Sequence, residues 1–199
     1  MRARAFLAAL TDAALSSIMH SRVTMKPWLA LTLVLGGALL DTTAAANTTA
    51  LFTLPSGVAV RIVEAPFKAS QFKIQGCSDQ GSGCRINGRL PAGVAFGLPK
   101  TYVKSIRVSF RGQSYVLDAS DMYNAWNNRP LEVPGAIRYF GGKCFDRKNC
   151  QFRGLFSDAG GAFVAEWLIV NGISVRTVLT GSNDVVNLFM QNIDPPEFD

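Results

Sequence analysis

Three observations predict a mainly β fold, an antiparallel sandwich or partly closed barrel with two short helices, with an α+β arrangement as its nearest variant. Residues 154–179 form two β-rich runs joined at Asn171-Gly172. Residues 103–118 alternate apolar and polar around Arg111-Gly112. Helical periodicity is confined to two brief stretches.

Asn-Gly between β-rich runs is the strongest local signal of a tight hairpin, because a type I′ turn needs positive φ at both central residues. The turn pairs Val170 with Ile173, Leu168 with Val175, Glu166 with Thr177, and Val164 with Leu179. That face is largely aliphatic and is assigned to the core. Trp167 and Arg176 then stand opposite each other on the other face, placed for a cation–π contact.

The N-terminus reads as an export signal. Met25-Lys26-Pro27 precedes an apolar run of 13 residues, Trp28 to Leu40, and the small residues Ala44-Ala45-Ala46 follow. A run this short falls below the roughly 20 residues that span a bilayer, so no membrane anchor is expected after cleavage. Residues 1–46 are taken as an N-terminal extension plus cleaved signal, and 47–199 as one disulfide-stapled β-rich domain of 153 residues. Without Arg2, Arg4, Arg22 and Lys26 the 20 basic residues fall to 16. Without Asp12 and Asp41 the 14 acidic residues fall to 12, so the balance is +4. The basic residues are scattered, which argues against a nucleic-acid partner. The expected location is the bacterial periplasm, with full secretion as the alternative.

The only histidine, His20, lies in the expected leader. The domain therefore lacks Ser-His-Asp and Cys-His nucleophilic sites, His-ligated zinc, and the usual general base near neutral pH. Cys77, Cys84, Cys144 and Cys150 are even in number and suit disulfides in an oxidising compartment. The local pairs 77–84 and 144–150 are favoured, each stabilising by roughly 2–2.5 kcal/mol in the chain-entropy picture. A four-cysteine zinc site is the rival, and its spacing is poor.

In chain order, residues 47–54 read as a flexible start, with a glycosylation-like Asn47-Thr48-Thr49. Val58–Val63 and Phe72–Gln75 read as strands, and Val94–Phe96 as a brief one inside a Gly/Pro-rich stretch. Ile106, Val108 and Phe110 share a buried face with Tyr115 and Leu117. Asp118 or Ser120 can cap a helix through Trp126, with Met122, Tyr123 and Trp126 on one flank. Residues 136–145 and 150–157 form a further hairpin around the second Cys loop. Ser182 caps a last helix whose apolar stripe is Val185, Val186, Phe189, Met190 and Ile193, ended by Pro195-Pro196.

No site motif is diagnostic. Asp158 and Glu166 are the best paired carboxylates for a glycosidase-like hydrolase acting on cell-wall polysaccharide. The blander account has Glu166 paired with an Arg and Asp158 capping a turn. Asp118, Asp121 and Glu132 offer oxygen ligands for calcium but lack the density of an EF-hand loop. Residues 141–143 and 159–163 are glycine-rich without phosphate-loop spacing. No metal and no cofactor is implied. Trp126, Trp167, Arg176 and Tyr139 are the candidate partner contacts, since aromatics and Arg dominate protein interfaces. The expectation is a non-catalytic exported binding protein with a protein partner, of the inhibitor or immunity type. The carboxylate hydrolase and a small apolar-ligand carrier are the alternatives.

Overall fold

The computed structural model describes residues 46–78, 83–126, 135–157 and 161–195. Among these residues ten strands build a mainly antiparallel, sandwich-like arrangement. They are β1 (Thr48–Thr53), β2 (Ala59–Pro66), β3 (Ile74–Gln75), β4 (Arg85–Ile86), β5 (Thr101–Phe110) and β6 (Gln113–Leu117), then β7 (Phe140–Cys144), β8 (Cys150–Phe156), β9 (Phe163–Val170) and β10 (Ile173–Thr180). One sheet has the order β1-β2-β5-β6 and the other β10-β9-β8-β7, while β3 and β4 form a separate small hairpin. One α-helix, α1 (Asn183–Gln191), and two 3₁₀ turns at Ala69–Gln71 and Gly135–Tyr139 complete the described elements.

The two tight hairpins form as their turn residues require. Arg111 and Gly112 have φ of 45° and 81°, and Asn171 and Gly172 have 52° and 84°. Ile106 pairs with Leu117 and Val108 with Tyr115, so the buried face of β5–β6 matches its alternation. Both disulfides join local pairs, Cys77–Cys84 and Cys144–Cys150.

The sheets face each other across an aromatic core. Phe52 of β1 meets Phe140 of β7 with ring centroids 4.9 Å apart, and Phe152 stacks on Trp167 at 5.7 Å. Phe156 joins Phe140, Phe163 and Trp167 in the same cluster. Two glycines make room for these rings. A Cβ on Gly154 would lie 2.7 Å from Phe156 and 2.9 Å from Phe140, and one on Gly142 would lie 3.0 Å from Leu54.

The structure corrects several expectations. The core face of β9 is Phe163, Ala165, Trp167 and Ile169, not the aliphatic face. Aromatic rings bury more apolar area than Val or Leu, and the gap between the sheets accommodates them. The β9–β10 register agrees from Val170–Ile173 to Trp167–Arg176, then shifts at a bulge, so Glu166 pairs with Val178 and Val164 with Thr180. Residues 48–53 are not a flexible start but edge strand β1, held by β2. Val94–Phe96 contains no strand. Residues 136–139 belong to a 3₁₀ turn, so the hairpin there begins at Phe140. Met190 lies on the exposed side of α1, whose buried residues are Val186 and Phe189.

The helix expected over 118–126 is absent. Asp121 and Asn124 take positive φ, 63° and 46°. Asp118 Oδ1 accepts the Ser120 amide at 2.9 Å. Such local side-chain bonds compete with helical hydrogen bonding, and the segment bridges to Ala92 and Tyr102 instead.

Gly154→Ala is expected to lower stability by about 1–3 kcal/mol through overpacking against the two rings. Urea unfolding midpoints of the two proteins measure this. A loss below about 0.5 kcal/mol, as at ordinary surface sites, would show that the ring stack repacks freely.

Candidate docking surface

Two of the candidate residues, Trp167 and Glu166, are buried. Trp167 is fully buried, and its Nε1 donates to the Asp118 carbonyl at 2.8 Å. Arg176 stands opposite it in register but turns its guanidinium onto the 118–121 segment. Its Nη1 donates to the Ser120 carbonyl at 2.5 Å, and its Nη2 lies 3.2 Å from Asp118 and 3.9 Å from Asp121. Neither side chain is placed to touch a partner. Trp126 is half-buried, with a buried Nε1 that finds no acceptor among the described residues. Tyr139 is half-buried beneath Arg138, whose guanidinium lies 4.7 Å from the ring centre.

The paired carboxylates are not brought together among the described residues, because Asp158 falls outside them. Glu166 is buried on the outer face of β9. Its Oε2 accepts from Arg153 Nε and from Gln151 Nε2 at 3.0 Å, and its Oε1 accepts from Thr177 Oγ1 at 2.9 Å. Both oxygens are thus engaged, and the charge is neutralised in place. Of the calcium candidates, Asp121 pairs with Arg89 at 3.1 Å and Asp118 with Arg176, while Glu132 lies outside the described residues. No cluster of three metal-binding side chains occurs among the described residues.

A second buried acid escaped the sequence pattern. Glu64, 3% exposed, sits near the end of β2 beside a bulge at Val63. Its Oε1 accepts from Thr101 Oγ1 and from the Ala125 amide at 3.0 Å. Burial pushes its carboxyl above the ordinary value, and these donors oppose that shift. The signal in the sequence is a lone Glu inside the apolar run Ile62–Phe67.

An open groove of about 270 Å³ runs beside β5 and the 119–123 segment, lined in part by Phe72, Tyr102, Lys104, Val116 and Asp121. Tyr123, also in its wall, has its phenol pushed up to about 12 by burial and then by the Asp121 charge. The groove lies at a sheet edge, whereas the space between the sheets is filled by the aromatic rings.

The outer face of the β7–β10 sheet has a different character at its two ends. At one end Leu155 and Val164 are covered by Val186 and Phe189 of α1. Next comes the Arg153–Glu166 pair, with Arg153 lying 5.1 Å from the Phe189 ring centre. Beyond it the face is open. Register places Lys143, Gln151, Leu168 and Val175 in one row across the sheet. Val170 and Ile173 follow in the next, and Phe145 extends β7 on the same side, two residues after Lys143. Phe145 is 65% exposed, Ile173 69%, and Val170 and Val175 are each 53%. Single exposed apolar residues are ordinary; a contiguous group on one sheet face marks an interaction site.

The frame beneath these residues is rigid. Cys144–Cys150 closes the loop beside them. The Gly172 amide donates to the Lys148 carbonyl at 2.8 Å, and the Asn171 amide to Asn149 Oδ1 at 3.0 Å. Among the described residues no helix is long and apolar enough to cross a membrane. Comparisons with protein-family models, curated proteins and solved structures find no match.

Glu64 has a definite pH signature. Its folded-state pKa lies above the ordinary 4.5, so the folded state holds the proton more tightly than the unfolded chain. Its favourable contribution is complete below that value and is lost as pH rises through the folded-state pKa. In Glu64→Gln the descending step in this window is expected to disappear, read as the difference between wild-type and variant urea midpoints across pH. Parallel profiles would show that Glu64 titrates alike in both states.

Proposed function

We propose that the chain is an exported, non-catalytic binding protein of the inhibitor or immunity type, which docks a partner protein through the open half of the outer β7–β10 face. One observation carries this reading. Phe145, Val170, Ile173 and Val175 stand exposed together on a rigid, hydrogen-bonded surface. Leaving such side chains in water forgoes roughly 1.5–3 kcal/mol per residue relative to burial, and a partner recovers it. A pre-ordered face also loses little entropy on docking.

Export is supported by the leader-like N-terminus and by two disulfides, which persist in oxidising compartments. A bacterial periplasm suits both features. A non-catalytic role is supported by the chemistry of the domain, which has no histidine after residue 20 and holds Glu166 between Arg153, Gln151 and Thr177.

The test compares wild type with Ile173→Asp/Val175→Asp as bait in an extract of the native compartment. A partner retained by wild type and weakened by roughly thirtyfold or more in the variant is expected, as at an interface hot spot. The variant's unfolding midpoint should stay near that of wild type, since both positions face solvent. Equal retention by both baits would sink the docking face.

A further inference from the structure

Resting on the docking face above, we infer that the partner presents an acidic border beside an apolar centre. Arg147 and Lys148 are exposed on the loop between β7 and β8, next to the Phe145–Val170–Ile173 row. Arg111 is exposed on the β5–β6 turn, with its guanidinium 5.0 Å from the Phe110 ring centre. Tyr115 OH of β6 donates to the Arg147 carbonyl, so this loop is tied to the opposite sheet. Together with the disulfide and the bond from Gly172, this holds the two cations of the loop on a fixed backbone.

The acidic groups nearby offset these cations only in part, through the Asp146 charge acting on Lys148. Asp146 turns its carboxylate onto its own loop. Oδ1 accepts the Lys148 amide at 2.6 Å and the Asn149 amide at 2.8 Å, and Oδ2 accepts Asn149 Nδ2 at 2.7 Å. Glu166 is neutralised by Arg153. An apolar patch edged by basic groups is complementary to an apolar patch edged by acidic ones, and rim charges of this kind govern encounter and partner choice.

Two other occupants fit less well. A second copy brings the same basic loop, and the Asp146 of that loop is already held by the Lys148 and Asn149 amides beside it. A lipid surface suits apolar residues that project at a tip. Here they lie along a sheet face, and the adjacent turns are the polar 146–149 and Asn171-Gly172, which insertion would carry toward hydrocarbon.

The test is selection of a random-peptide display library on the intact protein, followed by affinity measurements on the enriched peptides. The expected peptides combine apolar residues with Asp or Glu and lose binding to Ile173→Asp. Arg147→Glu/Lys148→Glu is expected to weaken them by about tenfold at low salt, and by less as salt rises. Peptides that need Ile173 but lack acidic residues, and ignore the double reversal, would overturn the acidic border while leaving the docking face intact. Peptides indifferent to Ile173→Asp, or none at all, would overturn both. Binding to phosphatidylglycerol vesicles but not phosphatidylcholine vesicles, lost in the same variants, would replace the protein partner with a lipid. Concentration-dependent dimers in sedimentation, abolished by Ile173→Asp, would replace it with a second copy.

Discussion

Everything in this fold depends on how the 118–126 segment is held. It leaves β6 at one sheet and must reach the other without helical hydrogen bonds. Its backbone groups therefore need partners elsewhere, since buried amides and carbonyls are costly when unpaired. Side chains from the two sheets supply three of them. Glu64 takes the Ala125 amide, Trp167 donates to the Asp118 carbonyl, and Arg176 donates to the Ser120 carbonyl. Glu64 belongs to the first sheet, and Trp167 and Arg176 to the second. One irregular segment thus joins both layers and determines which way the largest side chain points.

The opposite end is closed by different means. Tyr115 reaches from β6 to the Arg147 carbonyl, and the Cys144–Cys150 loop is tied to the Asn171-Gly172 turn. With both ends fixed, the spacing of the sheets is set and the rings from Phe52 to Trp167 fill it. The polar groups that looked chemical in isolation are largely structural here. Asp118, Asp121, Glu166 and Arg176 neutralise one another or their neighbours.

Features decided within a few residues were legible in the sequence. Positive φ at Asn171-Gly172 and Arg111-Gly112, the two short Cys loops, and the start of α1 at Ser182 are of this kind. Features decided by distant packing were not. Strand β1 carries three Thr among its six residues, and it forms because β2 offers an edge and the core takes Ala50 and Phe52. The 118–126 segment has helical spacing, yet its Asp and Asn side chains and the pull of Ala92 and Tyr102 win. The open apolar face was hidden for a related reason. Alternation shows that Val170, Ile173 and Val175 share a side of the hairpin, but not whether another layer covers that side. The sequence assigns that side to the core, and only the position of α1 shows that cover stops short of it.

That partial cover explains why the open area has limits. A Cβ on Gly141 would meet the Ile193 carbonyl at 2.1 Å, so the chain beyond α1 lies directly on β7 at that point. The Arg153–Glu166 pair follows as a neutral, hydrogen-bonded border. Past it nothing in the described chain covers the apolar rows, although the same sheet is fully protected one row earlier. The Arg153–Glu166 pair thus marks a boundary, with dry packing under α1 on one side and exposed Ile173 and Val175 on the other.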